Sequence, residues 1–404
     1  MPKQLELFPG YAPPEPRIVP RSEHPISRRM ISREALKVLY RLHDAGYLAY
    51  LVGGSVRDLL LGLTPKDFDV GTDARPEEIR RLFRASRIIG RRFRLVHVYF
   101  RGGKFVEVVT FRGPEDLEEE EEEVYGTPQQ DAFRRDLTIN ALFYNIADFT
   151  IVDYVGGLED LRRGIIRIIG DPDIRFTRDP VRMLRAIRHA ARAGFEIEPR
   201  TWEGILKHRE KIRLCSPYRL RDEWLKDVTG GWSEPWLSLM FKSGLFREIF
   251  PSYHRTLVAF PPTQKFLSRL LSVSDRLLSE GQLSQAEALT LFLYPYLLAH
   301  GFGKPPSRPE RPTREVEKRL LEILGSYRFC RELFEETLLL LSSLLYYRYF
   351  VLKGKTPPRK LTRKSYFPLL LRLSEIIFPR EKEFFNLEVS LPKKKKKRKR
   401  RGHA

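Results

Sequence analysis

Two carboxylates spaced Asp67-x-Asp69 follow a two-glycine turn, Gly53-Gly54, within the twenty residues LVGGSVRDLLLGLTPKDFDV. On a strand, side chains i and i+2 leave the same face about 7 Å apart, so this pair could share two Mg²⁺ ions about 4 Å apart and drive in-line transfer of a nucleotide. Gly53 and Gly54 lack a Cβ, which would let backbone N–H groups approach a triphosphate, while Arg57 on the following helix could reach its oxygens and Asp58 support Arg57. Each piece alone has a plainer reading, since paired glycines are common in turns and a D-x-D at a strand end is often only solvated. The order apolar strand, glycine turn, helix, carboxylate strand favours catalysis.

Three further groups bear on the same chemistry. Glu107 lies in Val106 to Val109 with its side chain opposite the flanking valines, where it is either a third carboxylate or a surface glutamate; alternation alone leaves both open. In DAFRRDLTINAL, Arg134, Arg135, Asp136 and Asn140 stand at helical spacing. Asp136 and Asn140, one turn apart on one face, suit sugar hydroxyls while an arginine holds phosphate; the alternative is an intrahelical salt bridge. In RDPVRMLRAIRHAARAGF, Asp179, Arg182 and Arg185 open a long helix with Asp179 as N-cap and Pro180 in its first turn. Paired with Asp179, Arg182 would present a fixed hydrogen-bonding edge to a base. His97, set in a strand between valines, reads as a structural or RNA-contacting histidine rather than a general base.

These residues need elements to hold them. Ser32 to Ala45 has a helical pattern with Leu36, Leu39 and Leu42 on one face. Strands are predicted at Tyr50–Val52 and Phe68–Val70, with helices over Val56–Leu61 and Pro76–Phe83. Arg94–Phe100 and Phe105–Phe111 read as two strands turned at Gly102 and Gly103, a hairpin beside the D-x-D strand. Glu118 to Glu123 is an unbroken acidic run expected to form a mobile loop, which cannot preorganise a cation site. Beyond Thr177 the pattern is helical almost throughout, with Leu339–Leu345, Tyr346 and Tyr347 in a buried helix and Arg219 and Glu223 spaced for an i,i+4 pair.

The 404 residues, 42% hydrophobic, can bury a substantial core in two or three domains. No apolar run reaches the ~18 residues of a membrane span and the N-terminal stretch lacks a signal-peptide core, so a cytoplasmic protein with no membrane partner is expected. Cys215 and Cys330 have no metal-ligand spacing and read as ordinary thiols. The formal charge of +21 calls for a polyanion, and nucleic acid fits best. Lys393, Lys394, Lys395, Lys396, Lys397, Arg398, Lys399, Arg400 and Arg401 form a basic run expected to track RNA phosphates.

The ordered motifs GGxVRD, D-x-D, RRDLTINAL and DPVRMLR resemble the class II nucleotidyltransferase family of tRNA CCA-adding enzymes and bacterial poly(A) polymerases. HPISRRMISREALKVLYRLHDAGYLAYLVGG (24–54) and IIGRRFRLVHVYF (88–100) are similar to stretches of the poly(A) polymerase branch. The resemblance is strong over residues 17–230. It implies an α+β fold: a small nucleotidyltransferase β-sheet head with helices (31–172), then an all-α neck (173–235) and body and tail (236–390), flanked by a basic arm (1–30) and tail (391–404). It further implies that Asp67, Asp69 and Glu107 hold two Mg²⁺ ions. Nucleotide binding falls to Gly53, Gly54, Arg57, Arg135, Asp136, Asn140 and Arg185, and base choice to Asp179 and Arg182. Where the family has Glu-Asp before the proline, this chain has Arg178-Asp179. The expected activity is template-independent addition of AMP from ATP to RNA 3′ ends by a monomer, with release of pyrophosphate. CCA addition to tRNA from CTP and ATP, and RNA binding without catalysis, are the alternatives.

Overall fold

The computed structural model describes residues 15–90, 94–113, 124–304, 307–327 and 329–385. The acidic run Glu118–Glu123 and the basic run Lys393–Arg401 lie outside them. The chain divides into two compact units between His208 and Arg209, within the segment read as the neck.

The first unit is built on a sheet of eight strands among the described residues: β1 (Arg17–Val19), β2 (Ala49–Val52), β3 (Asp69–Thr72), β4 (Ser86–Ile89), β5 (Leu95–Tyr99), β6 (Phe105–Thr110), β7 (Leu142–Asn145) and β8 (Ile151–Asp153). Their order is β1-β8-β7-β2-β3-β6-β5-β4. The predicted hairpin is present as antiparallel β5 and β6, and β6 lies parallel to β3. A parallel neighbour requires a crossover, and here it carries the helix Pro76–Leu82 followed by β4 and β5.

Helix Arg33–Asp44 is capped by Ser32, whose Oγ accepts from Ala35 N at 3.1 Å. It buries Ala35, Val38, Leu39 and Leu42, the i, i+3, i+4, i+7 stripe, so Leu36 lies at the margin of the buried face instead of on it. The residues read as an extended arm contribute β1, which pairs antiparallel with β8, and His24, whose Nε2 lies 2.9 Å from the Phe149 carbonyl oxygen. Edge pairing with a partner distant in sequence left no periodic signal in so short a strand.

Beneath the sheet's centre, Tyr50, Val52, Phe111, Phe143, Val152 and Ile169 form an aromatic-rich core cluster. Gly71 is part of its fit: a Cβ there would stand 2.6 Å from Phe111 Cε1 and 2.9 Å from Val52 Cγ1.

Every regular element of the second unit's described residues is a helix. Trp224 packs edge-on against Phe250 at 5.1 Å, and Tyr253 donates to the Phe292 carbonyl at 2.6 Å. Gln285–Leu297 is buried on every side from Ala286 onward, which marks it as a central helix. The predicted buried helix is Arg331–Leu352. Its Arg348 is enclosed with Glu381 and also donates to the carbonyls of Phe302 and Gly303, so this buried charge pair is paired on both sides. Together the two units make an α+β protein.

Candidate active site

β2 ends with Val52 directly opposite Asp69 at the start of β3, so the chain leaves the sheet at Gly53 beside that carboxylate. Gly53 has φ +71° and ψ −140°, a conformation that favours glycine. The Cβ it lacks would stand 3.4 Å from Arg135 Nη1 and 4.0 Å from Asp69 Oδ2. A gap without a side chain is thus bordered by a carboxylate and a guanidinium. The next residue, Gly54, opens the helix Gly54–Leu60.

On the other side of β3, Asp69 stands in register with Glu107 of β6, and Glu107 in register with His97 of β5. Register partners share a sheet face, so these side chains form one row; His97 Nε2 is 3.5 Å from Glu107 Oε2. Burial first, then the negative charge of Glu107, push the Asp69 carboxyl up to about 6, against the pull of Arg135. Asp67 adds to the same field. The strand begins at Asp69, however, and Asp67 is exposed in the preceding segment, so the expected i, i+2 strand pair is replaced by a cross-strand pair, Asp69 and Glu107.

Excess negative charge from oxygen donors on a partly buried face suits a hard divalent cation. Among the described residues no three His, Cys, Asp or Glu side chains converge as a finished cage. Asp69 and Glu107, with Asp67 in the same field, are the residues that would hold such a cation.

Arg135 is held from three sides. Its Nε and Nη2 donate to Asp131 Oδ2 at 2.9 and 2.8 Å, its Nη1 lies 3.3 Å from the Asn140 carbonyl oxygen, and its guanidinium lies 5.2 Å from the Phe143 ring centroid. The helix preceding it ends at Arg134, and Arg135 itself is extended. Asp136 and Asn140 consequently do not share a helical face; Asn140 closes a separate 3₁₀ turn, Thr138–Asn140. Arg175, 2% exposed, ends the helix by donating to the carbonyls of Arg134 and Arg135. That buried cation was not anticipated.

Arg57 also differs from expectation. Instead of facing out toward a triphosphate, it is 4% exposed and bound to Asp58 at 2.7 Å, with Asn140 Oδ1 accepting from its Nη1. Asp58 does support Arg57, and also accepts from Arg192 at 2.9 Å. The burial of this helix explains the inward turn, since an arginine on its enclosed face must find carboxylate and amide partners there. His189 completes the group, with Nε2 3.2 Å from Asn140 Nδ2 and Nδ1 3.3 Å from Arg57 Nη1. Both neighbours are donors, so the second proton that would charge the ring meets no acceptor. Loss of water, then the Arg57 charge, hold His189 well below its usual range.

Asp136 accepts from Arg185 at 2.9 Å and from Leu137 N at 2.8 Å. Burial raises its carboxyl, but Arg185 and neighbouring positive charge outweigh burial and hold it below the ordinary range. Asp179 is the residue that ends Pro172–Arg178 rather than an N-cap by its side chain; the long helix runs Val181–Ala193 with Pro180 just ahead of it, and Asp179 contributes its carbonyl to Arg182 N at 3.1 Å. Arg182 is buried at the start of that helix.

Sequence reasoning missed Asp131, Arg175, Arg192 and His189. Asp131 left a faint signal, four residues ahead of Arg135; the others make contacts across long sequence separations.

Residues 49–167 match the family described as Poly A polymerase head domain, and residues 194–257 the one described as Probable RNA and SrmB-binding site of polymerase A. The chain is 43% identical to Poly(A) polymerase I of Escherichia coli O157:H7 over 73% of its own length and 67% of that relative's. It is 37% identical to the CCA-adding enzyme of Bacillus pumilus, over 53% of this chain and 54% of that one. In fold it is similar to the Bacillus stearothermophilus CCA-adding enzyme solved in complex with CTP, with a TM-score of 0.52 and 23% identity, covering 89% of this chain and 100% of that one.

Proposed function

Because the chain belongs to the family that unites bacterial poly(A) polymerases with CCA-adding enzymes and is a polynucleotide nucleotidyltransferase, we propose that it extends RNA 3′ ends with AMP from ATP, releasing pyrophosphate. The observation that carries this reading is the convergence of Asp69, Glu107, Arg135 and the side-chain-free space at Gly53. The chain's 43% identity to Poly(A) polymerase I, over two thirds of that relative, supports adenylate as the unit added.

Phosphoryl transfer asks little covalent help from a protein and much positioning. The space at Gly53 admits phosphate oxygens close to the backbone. Arg135, held by Asp131, offers its guanidinium to the negative charge that builds on the triphosphate as the bond to pyrophosphate breaks. Mg²⁺ held by Asp69 and Glu107, with Asp67, would supply activation of the RNA 3′-hydroxyl and charge neutralisation at the triphosphate. Asn140, fixed by Arg57 and His189, and Asp136, fixed by Arg185, are the ribose-contacting pair. Arg182, in the first turn of Val181–Ala193, and Asp179, just before that helix, are the pair assigned to the base. The basic run Lys393–Arg401 supplies phosphate contacts to RNA. No helix among the described residues is long and apolar enough to cross a membrane.

CCA addition to tRNA is the second reading, favoured by the 37% identity to a CCA-adding enzyme. A generic RNA primer and a tRNA lacking CCA, each with Mg²⁺ and single labelled nucleotides, separate the two. Long tails from ATP alone on the generic primer are expected. Addition confined to the tRNA, and needing CTP, would replace the first reading with the second.

A further inference from the structure

The row Asp69–Glu107–His97 has a neighbour on the same sheet face. Phe105 lies two residues before Glu107 on β6, about 7 Å along the strand, and pairs in register with Tyr99 of β5. Phe105 stacks on the His97 ring with centroids 4.2 Å apart and 19° between planes, and Tyr99 closes the group at 6.3 Å from Phe105 and 6.1 Å from His97. Phe105 is 51% exposed and Tyr99 39%. Three adjoining rings thus stand on the sheet surface beside the paired carboxylates.

Core packing does not explain them, because β5 and β6 turn Val96, Val98, Val106 and Val108 to the interior and these rings the other way. An exposed aromatic patch of this kind marks a binding surface. Its surroundings are cationic. Arg87 is in register with His97 on the outer strand, and Arg101 sits in the exposed turn joining β5 to β6, whereas Lys104 of that turn is engaged by Glu34 at 3.2 Å. Rings that accept a base on their faces, with cations placed for the adjoining phosphates, are the elements of single-stranded RNA recognition.

We infer that His97, Tyr99 and Phe105 form a stacking shelf for the 3′-terminal base of the RNA being extended, setting its 3′-hydroxyl toward Asp69 and Glu107. The inference rests on the proposed RNA-extending activity, and adds the place where the acceptor end lies. Continuity with the carboxylate row favours the acceptor RNA over any other occupant, since a 3′-hydroxyl must reach those carboxylates.

The test uses the full chain, the double variant Tyr99→Ala/Phe105→Ala, and Phe105→Trp, with a short RNA carrying 2-aminopurine at its 3′ end. In the absence of ATP, wild type and Phe105→Trp should quench the probe on binding, and the double variant should lose the quench. In extension assays the double variant's KM for RNA should rise about tenfold, the scale of one lost base–aromatic stack, with KM for ATP and kcat at saturating RNA preserved. Unchanged RNA KM and quench in the double variant would overturn the shelf. So would a raised KM for ATP instead. If wild type adds no nucleotide to any RNA, the activity proposal fails by itself, because the quench is read without ATP.

Discussion

Asp69 and Glu107 face each other across the parallel pair β3 and β6, and the second carboxylate helps push the first up to about 6. Two like charges held together without need would be selected against on stability grounds, so removing one should leave the fold intact or firmer. Asp69→Asn and Glu107→Gln are each expected to lower nucleotide addition by on the order of 10²–10³-fold, the effect of losing one preorganised electrostatic group. Thermal melting should hold or rise. Activity retained in both variants would remove this pair from the chemistry.

Gly53→Ala combines two penalties. A β-carbon at φ +71° costs roughly 1–2 kcal/mol in backbone strain, and it would arrive 3.4 Å from Arg135 Nη1 in the space assigned to phosphate. Melting should fall by a few degrees, while KM for ATP rises more than this instability explains. A variant with lowered melting and an unaltered KM for ATP would show that the gap serves only the turn.

His189 should make folding stability pH-dependent. Its ring is neutral in the folded protein because burial and Arg57 disfavour the proton, with Arg188 and Arg185 acting the same way and Asp136 opposing them. The unfolded chain takes up a proton below about pH 6.5. The unfolded state then binds more protons than the folded one, so stability is full above that pH and is lost as pH falls, with a limiting slope of about 1.4 kcal/mol per pH unit. Denaturant titrations of wild type and His189→Gln between pH 7.5 and about 5 check this; equal slopes in the two proteins would contradict it.

Gly71→Ala would drive a methyl group to 2.6 Å from the Phe111 ring. Overpacking of this kind costs about 1–3 kcal/mol. Combining it with Phe111→Leu should recover part of the loss, since neighbours sharing one space are not additive. Additive losses would place the strain elsewhere.

Truncation before Lys393 removes nine cationic side chains. If all contact RNA phosphates, the slope of log affinity against log salt should flatten by up to about 6, at ~0.7 per contact with single strands. A slope that does not move would exclude the run from RNA binding.

Much of the site could be read from the chain because its signals are local. Glycine pairs, strand alternation around Glu107 and the arginine-rich segments depend on neighbours a few residues away, so the β5–β6 hairpin, the helical second half and the order of glycine turn, helix and carboxylates were legible, while the α+β arrangement came from the family resemblance. Local spacing also misled. Asp136 and Asn140 sit at helical distance in sequence, yet the backbone straightens at Arg135, where Arg175 takes the carbonyls of Arg134 and Arg135 from a helix some forty residues on.

What the sequence alone determined is which residue types are available and which short segments alternate or coil, since those follow from backbone periodicity. Tertiary structure decided which of them meet. The parallel register places Glu107, rather than Asp67, directly across from Asp69, and folding Val181–Ala193 back on the head brings His189 to Arg57 and Asn140, 132 and 49 residues away. Such contacts are set by long-range strand pairing and by the need of every buried cation for a partner, and neither leaves a periodic trace in the chain.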